Sequence, residues 1–173
     1  MAIGPNGTTL TPYATEAGIS TLGTILAYGV ETTEGEKPTT FTWLERVNEI
    51  GEISLDTEQI DASATDDEIT RYLAGRQDTG GSWEVTVNIT NQVLDIIDDM
   101  IDKYKALSNG KRMWFQIYTS KLNKAIFVVA QPPLHTPSSA VSQNSLYTAG
   151  LTFTLEEYKG YDTPVTIVAF SKS

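Results

Sequence analysis

The stretch from Glu49 to Ile89 constrains this chain more than any other. Its second end alternates: Trp83, Val85, Val87 and Ile89 fall on one side, and Ser82, Glu84, Thr86 and Asn88 on the other. A period of two with one apolar and one polar set predicts a strand with a buried face and a wet face. Glu49 to Leu55 reads as a matching strand end. Between the two ends lies a long acidic insert, residues 56–81, whose apolar cluster is limited to Ile69, Tyr72 and Leu73. A segment so poor in apolar side chains has too little to bury by itself. Loops of this length inside a compact domain are usually functional or disordered. With Gly75, Gly80 and Gly81 available for backbone turns, the insert is expected to be a long loop that orders against a partner.

Other parts of the chain supply the elements such a strand needs. Residues 1–22 are rich in Gly, Pro, Thr and Ser and by themselves read as a tail; residues 23–173 are expected to form a single domain. Strands are expected at Thr24–Val30, Phe41–Leu55 (bent near Asn48 or Gly51), Arg112–Thr119, Lys124–Gln131 and Asn144–Tyr158. A short strand or arm is expected at Val165–Phe170. Gly35 with Pro38, and Gly160 with Pro164, read as breakers. The helix signal is confined to Gln92–Leu107, where Val93, Ile96, Ile97, Met100, Ile101, Tyr104 and Leu107 recur at three- and four-residue steps. Thr90 or Asn91 caps its start and Asn109-Gly110 its end. Asp95, Asp98 and Asp99 lie early and Lys103 and Lys105 late, matching the helix dipole. Val93, Ile97, Met100, Ile101 and Tyr104 form the face that packs on the sheet. The expected fold is mainly β, an antiparallel β-sandwich or barrel with one flanking α-helix.

Composition narrows the chemistry. The formal net charge of -10 and the scattering of 12 basic residues argue against a nucleic-acid reader, which clusters Lys and Arg on phosphates. There are no cysteines, which removes disulfides and thiolate metal sites. No apolar run approaches the roughly 20 residues that span a bilayer. The start Met1-Ala-Ile-Gly-Pro-Asn-Gly lacks the regions of a signal peptide, so synthesis and folding in the cytoplasm are expected. His135, the single histidine, reads as a surface loop residue without the partners a catalytic or metal-binding histidine needs. Asp66-Asp67-Glu68 lacks the spacing of a calcium loop. Asp98, Asp99 and Asp102 fall on the wet side of the helix. Trp43, Trp83 and Trp114 each sit in a strand and are expected in the core. No catalytic motif appears, so neither an enzyme nor a cofactor or metal is expected.

Gly51-Glu52-Ile53, Ile60-Asp61-Ala62-Ser63, Asp66-Asp67, Tyr72, Gly75 and Asp78-Thr79-Gly80, followed by the alternating strand, resemble the tail tube (major tail) proteins of long-tailed bacteriophages. The likeness of element order covers Gly23 to Phe170. Gly81-Ser82 departs from it, since the family more often has an acidic residue directly after the glycine. The resemblance implies a structural virion protein whose hexameric rings stack into a tube. Implied partners are copies of itself, the tape measure protein, a tail terminator and baseplate or tip proteins. Double-stranded DNA would pass through the lumen without sequence recognition. Assembly would take place in the host cytoplasm, with no membrane partner. In that reading residues 1–22 become an extended N-terminal arm, and Glu52, Ser54, Glu84, Thr86, Asn88, Thr152, Thr154 and Glu156 line the lumen. Ile60, Asp61, Asp66, Asp67, Tyr72 and Arg76 make contacts between rings. Two other readings stand beside it: a tube protein of a contractile or type VI-like injection machine, and a monomeric carbohydrate-binding β-sandwich using exposed Trp or Tyr.

Overall fold

The structure is a computed structural model and describes residues 2–3, 9–10, 18–108 and 110–172. Most of the expected N-terminal arm therefore lies outside the described residues, as does Asn109. The elements in chain order are β1 (Ala2–Ile3), β2 (Thr9–Leu10), β3 (Ile25–Val30), β4 (Thr40–Leu44), β5 (Val47–Ile50), β6 (Asp56–Asp61), β7 (Tyr72–Asp78), β8 (Ser82–Asn88), α1 (Asn91–Lys105), β9 (Met113–Tyr118), β10 (Ala125–Gln131), β11 (Thr148–Asp162) and β12 (Thr166–Val168). Eight of the strands form one sheet in the order β12-β4-β3-β9-β10-β11-β8-β5. All neighbours in it are antiparallel except β12 on β4. The sheet curls into a half-barrel around α1, so the chain is mainly β with a single helix.

The concave face holds the main core. Trp83, Phe115 and Phe153 meet there with ring centroids 4.9 to 5.8 Å apart, among Leu26, Leu44, Val85, Val128 and Leu151. The helix closes this face with Val93, Ile96, Ile97, Met100 and Ile101, all buried, while Tyr104 packs half-buried at the margin. Each large apolar side chain so placed contributes about 1.5–3 kcal/mol. Thr90 caps the helix by accepting from the Val93 N–H at 3.2 Å. A second, smaller apolar cluster of Ala27, Phe41, Trp114, Ala125, Phe127 and Val129 lies on the convex face.

Several expectations are corrected. The Phe41–Leu55 strand breaks at Glu45-Arg46, where Arg46 takes a positive φ of 57°; the irregularity expected near Asn48 or Gly51 is also present, as a register shift at Asn48 and the end of β5 before Gly51. The insert is not a loop: β6 and β7 pair with each other as an antiparallel hairpin, apart from the main sheet. The strand placed at Asn144–Tyr158 starts at Thr148 and runs on to Asp162. It passes through Gly160 (φ 76°) because register shifts against β10 absorb the irregularity. The helix ends at Lys105, and its first turn carries no acidic residue; Asp95 lies one turn in and meets Lys172 at 3.1 Å. Asp98 and Asp102 are exposed as expected, but Asp99 is not free. It accepts from the Tyr28 hydroxyl at 2.6 Å and pairs with Lys103 at 3.1 Å. Trp83 and Trp114 are buried, whereas Trp43 keeps 36% of its surface exposed at the end of β4.

Candidate functional site

Pairing of β8 with β11 joins the two strands whose alternation stands out in the sequence. Ser82 lies opposite Thr154, Glu84 opposite Thr152, Thr86 opposite Gly150 and Asn88 opposite Thr148. Directly opposed residues project to the same side of a sheet. The buried set Trp83, Val85, Val87, Leu151 and Phe153 thus faces the helix, and the hydroxyl and carboxylate set forms a continuous outer wall. Glu84, Thr152 and Thr154 are exposed, and Thr86 and Asn88 are half-buried. Gly150 leaves room for the Glu84 carboxylate, which an added Cβ there would meet at 3.0 Å.

β5 extends the wall by one strand. Its pairing with β8 shifts register between Val47 and Glu49, so Val47 and Ile50 both face inward and Glu49 stands outside, opposite Thr86. Glu49 is therefore a wall residue that the sequence pattern missed. A continuous strand would have put Glu49 on the same side as Val47, facing the core. The register shift moves it to the outer side, because a slip of one residue exchanges the faces. Glu52 and Ser54 are exposed but lie beyond β5, outside any strand, and do not continue the wall. The ladder ends at Gly51, whose N–H donates to the Glu84 carbonyl at 2.7 Å while its own carbonyl accepts from Trp83 Nε1 at 3.0 Å. A side chain at 51 would run into the Glu84 carbonyl, so this edge requires glycine.

Glu156 closes the wall at a β-bulge. Leu155 faces the core opposite Ala130, and Glu157 pairs with Val129, leaving Glu156 as the extra residue; it accepts from Gln131 Nε2. From Ser82 to Asn88 and from Thr148 to Glu156 the two strands carry no Lys or Arg, nor does β5. Basic side chains begin past the bulge. Glu157 is held by Lys159 at 2.8 Å and Arg112 at 2.9 Å, and those hydrogen bonds keep its carboxyl below the usual range. The Asn88 Oδ1 atom is the one buried side-chain polar atom without a partner among the described residues.

The residues expected between rings are all on the β6–β7 hairpin. Ile60 opposes Leu73 and Asp61 opposes Tyr72. At the tip, Asp61 accepts from the Ser63 N–H, the Ser63 hydroxyl accepts from the Arg71 N–H, and Asp67 accepts from the Ala64 N–H, each at 2.9 Å. Those bonds organise the tip without a partner, which is why the insert is a hairpin and not an unordered loop. Asp66 and Arg76 are exposed, and Arg76 lines a groove at the hairpin base together with Asp56, Asp78 and Glu156. The wall and the hairpin therefore meet at Glu156. His135 is exposed in the loop after β10. No group of acidic residues and histidine with metal-binding geometry occurs among the described residues, and no helix among them is long and apolar enough to cross a membrane.

No family model and no curated protein matches this sequence. Among solved structures, a chain of the anti-feeding prophage baseplate has a TM-score of 0.49 and 10% identity over 87% of this chain and 96% of its own. A chain of the sheath-tube complex of an extracellular contractile injection system, in its extended state, has a TM-score of 0.49 and 14% identity over 87% and 95%. A chain of the anti-feeding prophage tube-terminating cap has a TM-score of 0.48 and 13% identity over 89% and 97%. Similarity at this level does not assign the chain to those assemblies.

Proposed function

We propose that this chain is a structural subunit that assembles with copies of itself into a tail tube through which double-stranded DNA passes. The observation that carries the reading is the outer wall of β5, β8 and β11, three strands wide, lined by hydroxyls and carboxylates and free of Lys and Arg. DNA carries a negative charge every ~1.7 Å of duplex axis, and a basic surface would grip it. A wall of Glu49, Glu84, Thr86, Thr152, Thr154 and Glu156 keeps a passing duplex hydrated and unbound. The motifs around Gly51, Ile60-Asp61, Asp66-Asp67 and Asp78-Thr79-Gly80 support the same reading through their resemblance to tail tube proteins. In this reading the subunits form hexameric rings stacked in a virion tail. The tape measure protein occupies the lumen during assembly, and terminator and baseplate or tip proteins close the ends. A heterologous interface whose rotation closes makes a ring, and matching ring faces stack.

Negative-stain microscopy of the concentrated purified protein tests this. Tubes with a central channel are the expected result. A protein that remains monomeric at every concentration would overturn it.

A further inference from the structure

The half-barrel is open at one end. Val47 and Ile50 of β5, Ile53, Ile117, Ile126 and Tyr158 surround a groove of about 630 Å³ on the concave side, beyond the reach of the helix. β5 is the last strand of the sheet and hydrogen-bonds only to β8. The groove continues past Ile117 and Tyr161 to the β9–β10 turn, where Lys124 lines it. Lys121 of the same turn donates to the carbonyls of Ser20 (3.1 Å) and Leu22 (2.9 Å) at the rim. One end of this groove therefore carries Lys121 and Lys124, while Glu49 lies at its β5 rim.

The hairpin has the opposite properties. Between Asp56 and Asp78 there are seven carboxylates against two arginines. Ile60 and Leu73 oppose each other across the ladder and so share one face. That face is uncovered in its own chain, with Ile60 49% and Leu73 61% exposed. Neither β6 nor β7 has a second neighbouring strand. A lone two-stranded hairpin is marginal in water and gains most from a surface that covers its apolar side.

We propose that the hairpin of a second copy of this chain docks in the groove. Ile60 and Leu73 enter between β5 and Tyr158, and the acidic flanks of the hairpin meet Lys121 and Lys124. Hairpin and groove are different surfaces, so the contact is heterologous and joins copies head to tail. The inference rests on the self-assembly reading and deepens it by naming both halves of the contact.

Because the chain has no cysteine, directed cross-linking tests this cleanly. Concentrated Leu73→Cys/Tyr161→Cys protein, oxidised mildly, is expected to give a ladder of covalent multimers on non-reducing gels. The two single-cysteine variants, mixed, should stop at mixed dimers. Lys124→Glu in the double-cysteine background should slow cross-linking by about tenfold at low salt and less at high salt. Far-UV circular dichroism of each variant confirms that it is folded. Absence of multimers, links only within one chain at high dilution, or links only between identical positions would each overturn the docking. So would preferential capture of Tyr161→Cys by Ile3→Cys, since the chain's own N-terminal segment would then fill the groove. Normal tubes from Ile60→Ser/Leu73→Ser would remove the docking and leave the tube reading intact. Head-to-tail multimers from a wild type that never forms tubes would do the reverse.

Discussion

Glu31 shows how a single charged residue is held inside a mainly apolar sheet. It is 2% exposed, yet its carboxylate accepts from Trp114 Nε1 at 2.7 Å and from the N–H groups of Gly35 (3.0 Å) and Arg112 (3.1 Å). Burial alone pushes its carboxyl upward, but these hydrogen bonds and the Arg112 charge outweigh that and hold it below the ordinary range. A carboxyl depressed in the folded state contributes stability above its unfolded value of about 4.3. That contribution is lost as pH falls through the folded value. Thermal melts between neutral and acid pH should show the wild type losing stability more steeply than Glu31→Gln below about pH 4.3. At neutral pH the variant should be about 1–3 kcal/mol less stable, because an amide cannot satisfy the same three donors. Parallel pH profiles for the two proteins would show that Glu31 does not set the acid limb.

The helix and the hairpin are elements of opposite kinds. The helix depends on burial: Ile97 is wholly enclosed and Asp98 exposed. Ile97→Ala should cost about 2–5 kcal/mol in urea unfolding, while Asp98→Ala should stay within about 0.5 kcal/mol. Similar small effects at both positions would show that α1 adds little to the core. The hairpin contributes its ladder only to itself. Asp56 and Asp78 are directly paired, so residues 57–77 can be replaced by an Asn-Gly turn that closes the gap. That deletion should leave a folded, soluble subunit in size-exclusion and circular dichroism, but one that no longer polymerises. Tubes of normal length from it would detach the hairpin from assembly.

At the scale of the whole molecule, the wall determines what the proposed tube does to its cargo. Reversing two charges on it, Glu84→Lys with Glu156→Lys, should leave assembly intact, since neither side chain packs in the core. Particles built from that variant should eject DNA more slowly, most strongly at low salt, where screening is weakest. Ejection at the parental rate across a salt series would place the wall elsewhere than the lumen.

The elements themselves were legible wherever a pattern repeats locally. The 3.6-residue stripe from Val93 to Ile101 and the period of two from Ser82 to Asn88 and from Leu151 to Leu155 depend only on neighbours within the segment. They located the helix and both long strands of the wall with their buried faces; of the two cap candidates, Thr90 and Asn91, the structure selects Thr90. What lay beyond sequence is where a partner strand fixes parity. Glu49 reaches the wall because β5 slips by one residue against β8, and Glu52 and Ser54 leave it because the strand ends before them. β11 continues to Asp162 because register shifts against β10 accommodate Gly160. The insert is a hairpin because residues far apart in the chain, Asp61 with Tyr72 and Ser63 with Arg71, satisfy each other's backbone and side-chain groups. Local periodicity determined which residues are apolar-faced; the pairing of strands distant in sequence decided which of the remaining residues stand together on the wall.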